Sequence, residues 1–416
     1  MHFLVILLWA ALDFTALAQP QSRVQEIEQA RDEKSRKLEP DNPSMFEARL
    51  IEIKDKKVIE RITAGIGGVR VKIGGMPTGS GFAVGPDYFR NDLARGKLTV
   101  NAGLTASTAR WLRYYAGVSL PSFARDKLFW DGNLVHRDYN SLNYYGPGPD
   151  SEKIRRTNYR LEDSAADTIL GVKPVKWLRL GGGAGYQWVN TGPGRNNRFA
   201  STDTVFRPAQ VSGLDRQTDF FRVGYFAQVD YRDNPLGARS GGFYSLRWDN
   251  YDDRNLGRHD FRRMDLEAQQ FIPFFNKRRV IALRARTVQT YTRSGQSVPF
   301  YHHASLGGGD DLRGYRPYRF NDANMFVMNA EYRWEVFAGL DMALFADAGH
   351  VQTARWKFRA NQLESAVGFG LRFNARNSPF MRIDVGFSHE GFQVFVKFNG
   401  IFNQRVLASS AAPHLF

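Results

Sequence analysis

Apolar and polar residues alternate over long stretches of the chain between residues 61 and 404. The clearest stretch, residues 381–388, reads MRIDVGFS, with Met, Ile, Val and Phe at every second position and Arg, Asp, Gly and Ser between them. The same pattern recurs in residues 221–232, 326–336 and 367–374. A period of two with one apolar face predicts β-strands. One face of each strand lies in an apolar environment and the other in a polar one.

The length and the two faces of these strands narrow the choice of fold. Several stretches continue for about nine to eleven residues, the length that a tilted strand needs to cross a bilayer, whereas strands of soluble proteins usually have about 5–6. The polar face carries charges of both signs next to glycine, which is typical of a wet or plugged lumen. On the apolar face, Tyr231, Trp248, Tyr332 and Trp334 lie near strand ends, where a membrane-interface girdle is expected.

These features predict an all-β fold, a transmembrane antiparallel β-barrel. Residues 61–404 provide enough chain for about 16 strands, at ~10 residues for each strand and ~10–12 for each connection. A soluble all-β protein shows the same period of two and is the alternative.

The N-terminus carries an export signal. Residues 3–18 read FLVILLWAALDFTALA and end in Ala16-Leu17-Ala18, the small-x-small pattern of a signal-peptide cleavage site. The stretch is shorter than the ~20 apolar residues of a spanning helix. Because Asp13 interrupts it and no Lys or Arg precedes it, a buried N-terminal helix is the alternative. We predict that residues 1–18 are a signal peptide and that the mature chain begins at Gln19.

The segments before and after the predicted barrel differ from it in composition and do not alternate. Residues 19–60 are rich in charge and poor in glycine, which predicts one or two short water-exposed helices in the periplasm. Residues 405–416 do not alternate, so we interpret them as a C-terminal tail. The predicted order is therefore signal peptide, charged segment, barrel and tail.

Composition excludes several classes of function. The chain has no cysteine, and therefore neither disulfides nor thiolate metal sites. Its 57 Lys and Arg residues exceed 42 Asp and Glu residues, for a net charge of +15. Such an excess can serve nucleic acid, an acidic membrane surface or an anion-lined lumen. Because the basic residues are interleaved with acids and do not cluster, we expect no nucleic-acid partner.

The sequence shows no strong catalytic or metal motif. His302-His303 is an adjacent pair with no second cluster at ligand spacing, so we interpret it as a solvated loop pair. The glycine run at 181–185 lacks the spacings of nucleotide-binding loops and is interpreted as a strand that other groups approach closely. We expect a non-enzyme with no cofactor and no metal. A hydrolase triad assembled across strands is the alternative.

One segment resembles a known family. Residues 305–315, SLGGGDDLRGY, resemble the extracellular loop signature of the BamA/TamA/FhaC superfamily, the bacterial surface antigen barrels that insert or translocate other proteins. That signature is a glycine-rich approach to an apolar-Arg-Gly-aromatic tetrapeptide, here Leu312, Arg313, Gly314 and Tyr315. Further segments fit the family in order: 144–148, 230–235, 329–333, 345–351, 368–372 and 382–384.

The signature lies in a long connection. About 30 residues separate the strand that ends near Arg293 from the strand that starts near Asn324, whereas ordinary connections have ~4–6. Alternation places Glu331 and Asp347 on the lumen face of the following strands. The resemblance implies that this loop folds inward and that Arg313 pairs with both acids. We expect Arg313 to hold the loop more firmly than Arg316 or Arg319 does; a solvated Arg313 is the alternative.

The family comparison also gives a closing strand and a departure. The strand GFQVFVKF resembles the closing strand of such barrels, and its candidate seam residues are Gly391, Phe392, Val394, Val396 and Phe398. The resemblance implies a weak seam between this strand and the first, near residues 65–73. Family members normally carry periplasmic POTRA domains before the barrel, and residues 19–60 are too few for one.

We therefore hypothesise a BamA/TamA-type barrel of the bacterial outer membrane that assists insertion or translocation of proteins or lipids. Its partners would be outer-membrane lipid and client outer-membrane proteins, or a separate periplasmic protein. The alternative is a structural or pore-forming barrel that has the fold without insertase activity.

Overall fold

The computed structural model describes residues 66–337, 339–357, 360–375 and 378–398. The predicted signal peptide, the charged segment at 19–60 and the tail at 405–416 lie outside these residues. Within the described ranges, no helix is long and apolar enough to span a membrane.

Sixteen strands of the described residues form one antiparallel sheet, in which each strand pairs with its neighbours along the chain, and two short strands form a separate pair within the longest loop. The strands are β1 (Val69–Ile73), β2 (Ala83–Asp92), β3 (Leu98–Ser107), β4 (Leu112–Phe123), β5 (Leu128–Tyr144), β6 (Thr157–Val175), β7 (Leu178–Pro193), β8 (Phe220–Asp230), β9 (Gly241–Asp253), β10 (Phe261–Phe274), β11 (Arg279–Thr292), β12 (Ala304–Leu306), β13 (Phe320–Asp322), β14 (Asn324–Phe337), β15 (Leu340–Gln352), β16 (Glu364–Ala375), β17 (Ser378–Ser388) and β18 (Gly391–Lys397). Short helical segments occupy Leu93–Gly96, Lys153–Arg155, Thr202–Val205, Phe300–His302 and Ala360–Gln362. The predicted all-β barrel of 16 antiparallel strands is confirmed.

Connections alternate in length around the sheet. Tight turns such as 124–127 and 275–278 join strands at one end, which we call the turn end. Connections at the opposite end, the loop end, include 145–156, 194–219 and 293–323. Outer-membrane barrels have their short turns on the periplasmic side and their long loops outside the cell.

The sheet has its charged side chains on the inner face and its apolar side chains on the outer face, the reverse of a soluble protein. Arg382 and Asp384 are fully buried inside, on the face that alternation assigns to the lumen. On the opposite face, Val367, Tyr225 and Leu344 are 59%, 57% and 52% exposed. Because a soluble protein buries its apolar side chains, an apolar exterior around a charged interior fits lipid outside and contradicts the soluble alternative.

Aromatic side chains mark both ends of the apolar surface. Towards the turn end, Tyr332 stacks on Trp334 with ring centroids 5.5 Å apart, and Phe274 stacks on Tyr332 at 6.0 Å. Towards the loop end, the rings of Trp248 and Tyr291 are 5.2 Å apart. Amphipathic rings favour the membrane–water interface, so these pairs indicate where the apolar band ends.

Glycines make room for side chains that lie against the inner surface. A Cβ on Gly185 of β7 would lie 1.8 Å from Asp167 Oδ1, and one on Gly181 would lie 2.8 Å from Phe226 Cζ. The glycine run at 181–185 therefore acts as the sequence indicates, as a strand surface that neighbouring groups approach closely.

Face assignment is tested by one matched pair of substitutions. We expect Ile383→Arg to lower the free energy of unfolding in lipid vesicles by about 2–4 kcal/mol, because it places a charge in hydrocarbon near mid-depth. Asn101→Arg places the same charge on the lumen face of β3 and should cost less than ~1 kcal/mol. Denaturant titration measures both; equal losses would contradict the assignment of the faces.

Candidate functional site

The longest loop, residues 293–323, enters the lumen and packs against the inner surface of the last strands. Within it β12 pairs with β13, from Ala304 opposite Asp322 to Leu306 opposite Phe320. Leu306 and Leu312 are fully buried in an apolar cluster with Val327 of β14. A surface loop would be solvated, so this burial makes the loop part of the barrel interior.

Arg313 is the most deeply engaged residue of this loop. Its Nε and Nη2 donate to the two carboxylate oxygens of Asp347 at 2.8 and 2.7 Å, which is the bidentate geometry of a guanidinium–carboxylate pair. Its Nη1 donates to Glu331, and its backbone N–H donates to Asp347 at 3.1 Å. The guanidinium carbon lies 3.5 Å from the ring centre of Phe345. The structure thus brings together the Arg and both acids that the sequence singles out.

The pair belongs to a larger buried network of charges. Arg372 donates to Glu331 at 2.9 Å and also contacts Asp384 at 2.6 Å. Arg333 donates to the second oxygen of Glu331 at 2.7 Å, and Arg382 donates to Asp384. The network therefore joins the loop to four consecutive strands, β14 to β17. Sequence analysis missed Arg333, Arg372, Arg382 and Asp384 as members, although alternation places all four in the lumen.

The other residues of the tetrapeptide fit their positions sterically. A Cβ on Gly314 would lie 2.7 Å from Ala366 Cβ and 2.8 Å from Ser388 Cβ, so only glycine allows this approach to the wall. Ser388 Oγ donates to the carbonyl of Gly314 at 2.9 Å. Tyr315 is buried, and its hydroxyl donates to Glu364 at 2.6 Å. These contacts hold the motif against β16 and β17.

Asp310 forms a second contact point that the sequence does not predict. One of its carboxylate oxygens accepts from Thr78 at 2.8 Å and lies 3.0 Å from Lys397 Nζ; the other accepts from Arg382 at 2.9 Å. Burial alone would raise the pKa of Asp310, but the ammonium of Lys397 and the guanidinium of Arg382 outweigh burial and hold it below its usual range. Burial raises the pKa of the adjacent Asp311 to about 6. Asp310 thus connects the loop with β17, β18 and the β1–β2 connection.

Arg319 is a third contact point of the loop. Its Nε donates to Glu390 Oε1 at 2.8 Å and its Nη2 donates to the carbonyl of Ser151 at 2.7 Å. The guanidinium lies 5.0 Å from the ring centre of Tyr145. Arg319 therefore joins the β5–β6 connection to the turn between β17 and β18, whereas Arg316 is partly exposed and serves as a better control.

His302 and His303 are not a solvated pair, so that interpretation is wrong. His302 is fully buried, with its ring centre 4.9 Å from Phe220 and 5.4 Å from Tyr251. Burial, reinforced by Arg263, lowers the pKa of His303 to about 4. Across the described ranges, no group of three or more His, Asp and Glu residues is arranged to hold a metal ion.

The first and last strands form the other candidate site. Phe392, Val394 and Val396 of β18 point outward and are 64%, 55% and 53% exposed; Gly391 begins the strand. The ring of Phe398, just after β18, lies 5.6 Å from that of Phe82 in an edge-on contact. Between Val69–Ile73 and Gly391–Lys397, the described residues show no backbone pairing.

The Arg313 contact predicts how firmly the loop is held. We expect Arg313→Ala to increase the rate at which added protease cuts the loop in intact cells, because removing the cation that pairs with buried Asp347 costs about 3–5 kcal/mol. Arg313→Lys should rescue only partly, since an ammonium cannot form the bidentate pair. Arg316→Ala is the control with the same loss of charge; if it exposes the loop as much as Arg313→Ala does, the anchor role is refuted.

Comparison with known proteins gives the family. The chain resembles the crystal structure of BamA from Haemophilus ducreyi lacking POTRA domains 1-3, with 14% identity and a TM-score of 0.58 over 79% of this chain and 70% of that one. It also resembles CdiB from Escherichia coli, with 14% identity and a TM-score of 0.52 over 80% of this chain and 62% of that one, less than two thirds of its length. No curated protein sequence matches.

These structural matches, at low identity, bear on the fold alone. The family model described as the Omp85 superfamily domain matches residues 91–393, which is most of the chain. That range includes every strand from β3 to β17, the Arg313 loop and its four partner strands. The resemblance to BamA/TamA/FhaC-type barrels is thereby confirmed, and the chain belongs to the Omp85 superfamily.

Proposed function

We propose that this chain assists the insertion or translocation of proteins or lipids at the bacterial outer membrane, and that the seam between β1 and β18 is where it acts. Omp85 barrels are bacterial outer-membrane proteins, and the apolar exterior of this sheet suits such a membrane. Outer-membrane lipid and client barrel proteins are the partners that this proposal requires. A separate periplasmic protein could deliver the clients.

The carrying observation is that the described residues of β1 and β18 show no backbone pairing with one another. Adjacent strands elsewhere in the sheet pair over long registers, such as the continuous ladder from Phe261 opposite Thr292 to Phe274 opposite Arg279. Among the described residues, β18 instead contacts the connection that follows β1: Lys397 Nζ donates to the carbonyl of Met76 at 3.4 Å and to Thr78 Oγ1 at 3.2 Å. Within the described part of the chain, few contacts must break for these two strands to part.

A parted seam has a strong tendency to pair with another strand. Backbone N–H and C=O groups at a strand edge cannot find water in the hydrocarbon region, so each one left without a partner costs free energy. A client strand that adds to the edge satisfies these groups, as in β-strand addition. The proposal needs neither a catalytic residue nor a cofactor, because the hydrogen bonds that form at the unpaired edge supply the driving force.

The contents of the lumen favour this function over a passive pore. The Arg313 loop occupies the side of the lumen near β14 to β17, and a cluster of buried aromatic residues occupies the loop end. In that cluster Tyr144 contacts Phe300 and Phe206 with ring centres 5.5 Å apart in both pairs. A wide channel would require both features to move.

Locking the seam tests the proposal. A Cβ on Gly74 would lie 2.8 Å from Phe398 Cβ, about 1 Å less than the ~3.8 Å of a disulfide, so the backbone at Gly74, which has a φ of +75°, must shift for the bond to form. The chain contains no cysteine to interfere. Gly74→Cys/Phe398→Cys should accelerate folding of an unfolded client barrel in liposomes when reduced. Once oxidised, the variant should no longer accelerate folding, so that the client folds at the rate seen in protein-free liposomes.

The control places a disulfide beside an existing ladder. Ala268 and Ala285 are direct partners in the β10–β11 register, so Ala268→Cys/Ala285→Cys adds a cross-link away from the seam. Oxidation of this variant should leave client folding unchanged. If the oxidised seam variant still accelerates folding as the reduced form does, the seam is not the site of action. If no form of the protein exceeds protein-free liposomes, the alternative of a barrel without insertase activity is preferred.

A further inference from the structure

An outward-facing cluster of basic and aromatic side chains lies at the loop end of β9 to β11. Arg262 of β10 is exposed and lies directly opposite Tyr291 of β11 and Asn250 of β9. The guanidinium carbon of Arg355, from the β15–β16 connection, lies 4.3 Å from the ring centre of Tyr291. The ring of Trp248 is 5.2 Å from the same Tyr291. Arg262 and the guanidinium group of Arg355 thus lie beside one interfacial aromatic pair, Trp248 and Tyr291, and we call these four residues the rim cluster.

The segment that carries Arg355 is held against the outer face. The backbone N–H of Trp356 donates to Gln289 of β11 at 3.1 Å, so the connection after β15 reaches across β14. Arg355, Trp356 and Lys357 are all exposed. This anchoring adds positive charge to the rim cluster from a second part of the chain.

The strand pattern places the rim cluster at head-group level. Outward positions of β10 from Met264 to Phe274 are mostly apolar, and Arg262 is the next outward position beyond Met264. At ~3.3 Å of rise per residue and a tilt of ~35–45°, the ten steps from Met264 to Phe274 span about 25 Å along the membrane normal. This is the height of the apolar band of an outer-membrane barrel, so Arg262 lies at its upper edge.

Neither arginine of the rim cluster forms an ion pair within the described part of the chain. Among the described residues, no carboxylate oxygen lies within 4.0 Å of the guanidinium nitrogens of Arg262 or Arg355. Comparable arginines are paired: Arg160 of β6 contacts Asp138 at 2.8 Å and Arg254, just beyond β9, contacts Asp252 at 2.7 Å. An exposed guanidinium at the membrane boundary with no carboxylate on its own chain favours an anion from the surroundings.

We infer that the rim cluster binds the phosphate of an anionic lipid head group in the leaflet at the loop end. The planar fork of each guanidinium matches the oxygens of a phosphate and makes charge-assisted hydrogen bonds. Trp248 and Tyr291 supply the amphipathic surface on which the adjoining glycerol or sugar and first acyl carbons rest. This site is separate from the seam. It lies on β9 to β11, in the middle of the strand order, whereas the seam strands β1 and β18 are the two ends of that order.

Binding of a short-chain lipid tests the site in the folded protein. We expect dihexanoyl phosphatidic acid to bind the purified full chain in a non-ionic detergent, measured by isothermal titration calorimetry. Arg262→Gln and Arg355→Gln should each weaken binding about fivefold, the factor that corresponds to about 1 kcal/mol for each basic residue at an anionic surface. The double variant should bind at least twentyfold more weakly.

Controls separate the site from general charge and from folding. Arg254→Gln removes the same charge at the same end of the neighbouring strand, but from a paired arginine, and should bind like the unsubstituted chain. Heat-modifiable mobility on gels verifies that each variant is folded; if Arg262→Gln does not fold, Arg355→Gln, on a connection, decides. Unchanged affinity in the folded Arg355→Gln chain overturns the inference, as does inorganic phosphate that binds as tightly as the lipid.

Discussion

The interior of this barrel depends on the burial of one guanidinium group, that of Arg313. Removing a charge from water costs several kcal/mol, and the cost is offset only where carboxylates are already in place and well oriented. Asp347 and Glu331 meet that condition because rigid neighbouring strands carry them on the lumen face. The strands hold the acids, the acids hold Arg313, and Arg313 holds a loop whose apolar residues then cover the wall. Removing the cation would therefore disturb the loop and the charge balance of four strands together.

Most contacts of the Arg313 loop lie on one side of the seam between β1 and β18. All carboxylate partners of Arg313 lie on β14 to β17, on one side of it. Asp310 reaches across, since it binds Lys397 near the end of β18 and Thr78 in the β1–β2 connection. Parting β1 from β18 would break contacts of Thr78 and Lys397 but leave the Arg313 network intact. The described residues thus combine a firmly held interior with few polar contacts between β18 and the β1–β2 connection, which is the combination that the proposed addition of a client strand requires.

Much of this architecture is readable from the sequence because strand alternation is a local signal. A period of two assigns residues 381–388 to strand and to faces without knowledge of any neighbour, and the same parity places Glu331 and Asp347 in the lumen. The network with Arg372 and Asp384 could not be assembled in this way, because the residues that meet across a lumen depend on the stagger between strands. Thr78 and Arg319 lie in connections with no period at all. The buried position of His302 was missed for the same reason: a loop that packs inside a barrel has the composition of a solvated loop.

A double-mutant cycle on Arg313 and Asp347 tests the central claim most directly. The free energy of unfolding in lipid vesicles is measured for the unsubstituted chain, Arg313→Ala, Asp347→Asn and the double variant. Because each residue is the main partner of the other in a buried, bidentate contact, the account predicts a coupling free energy of about 2–3 kcal/mol, with the double variant far less destabilised than the sum of the single changes. Additive losses, within about 0.5 kcal/mol, would contradict the claim that this ion pair holds the loop inside the barrel.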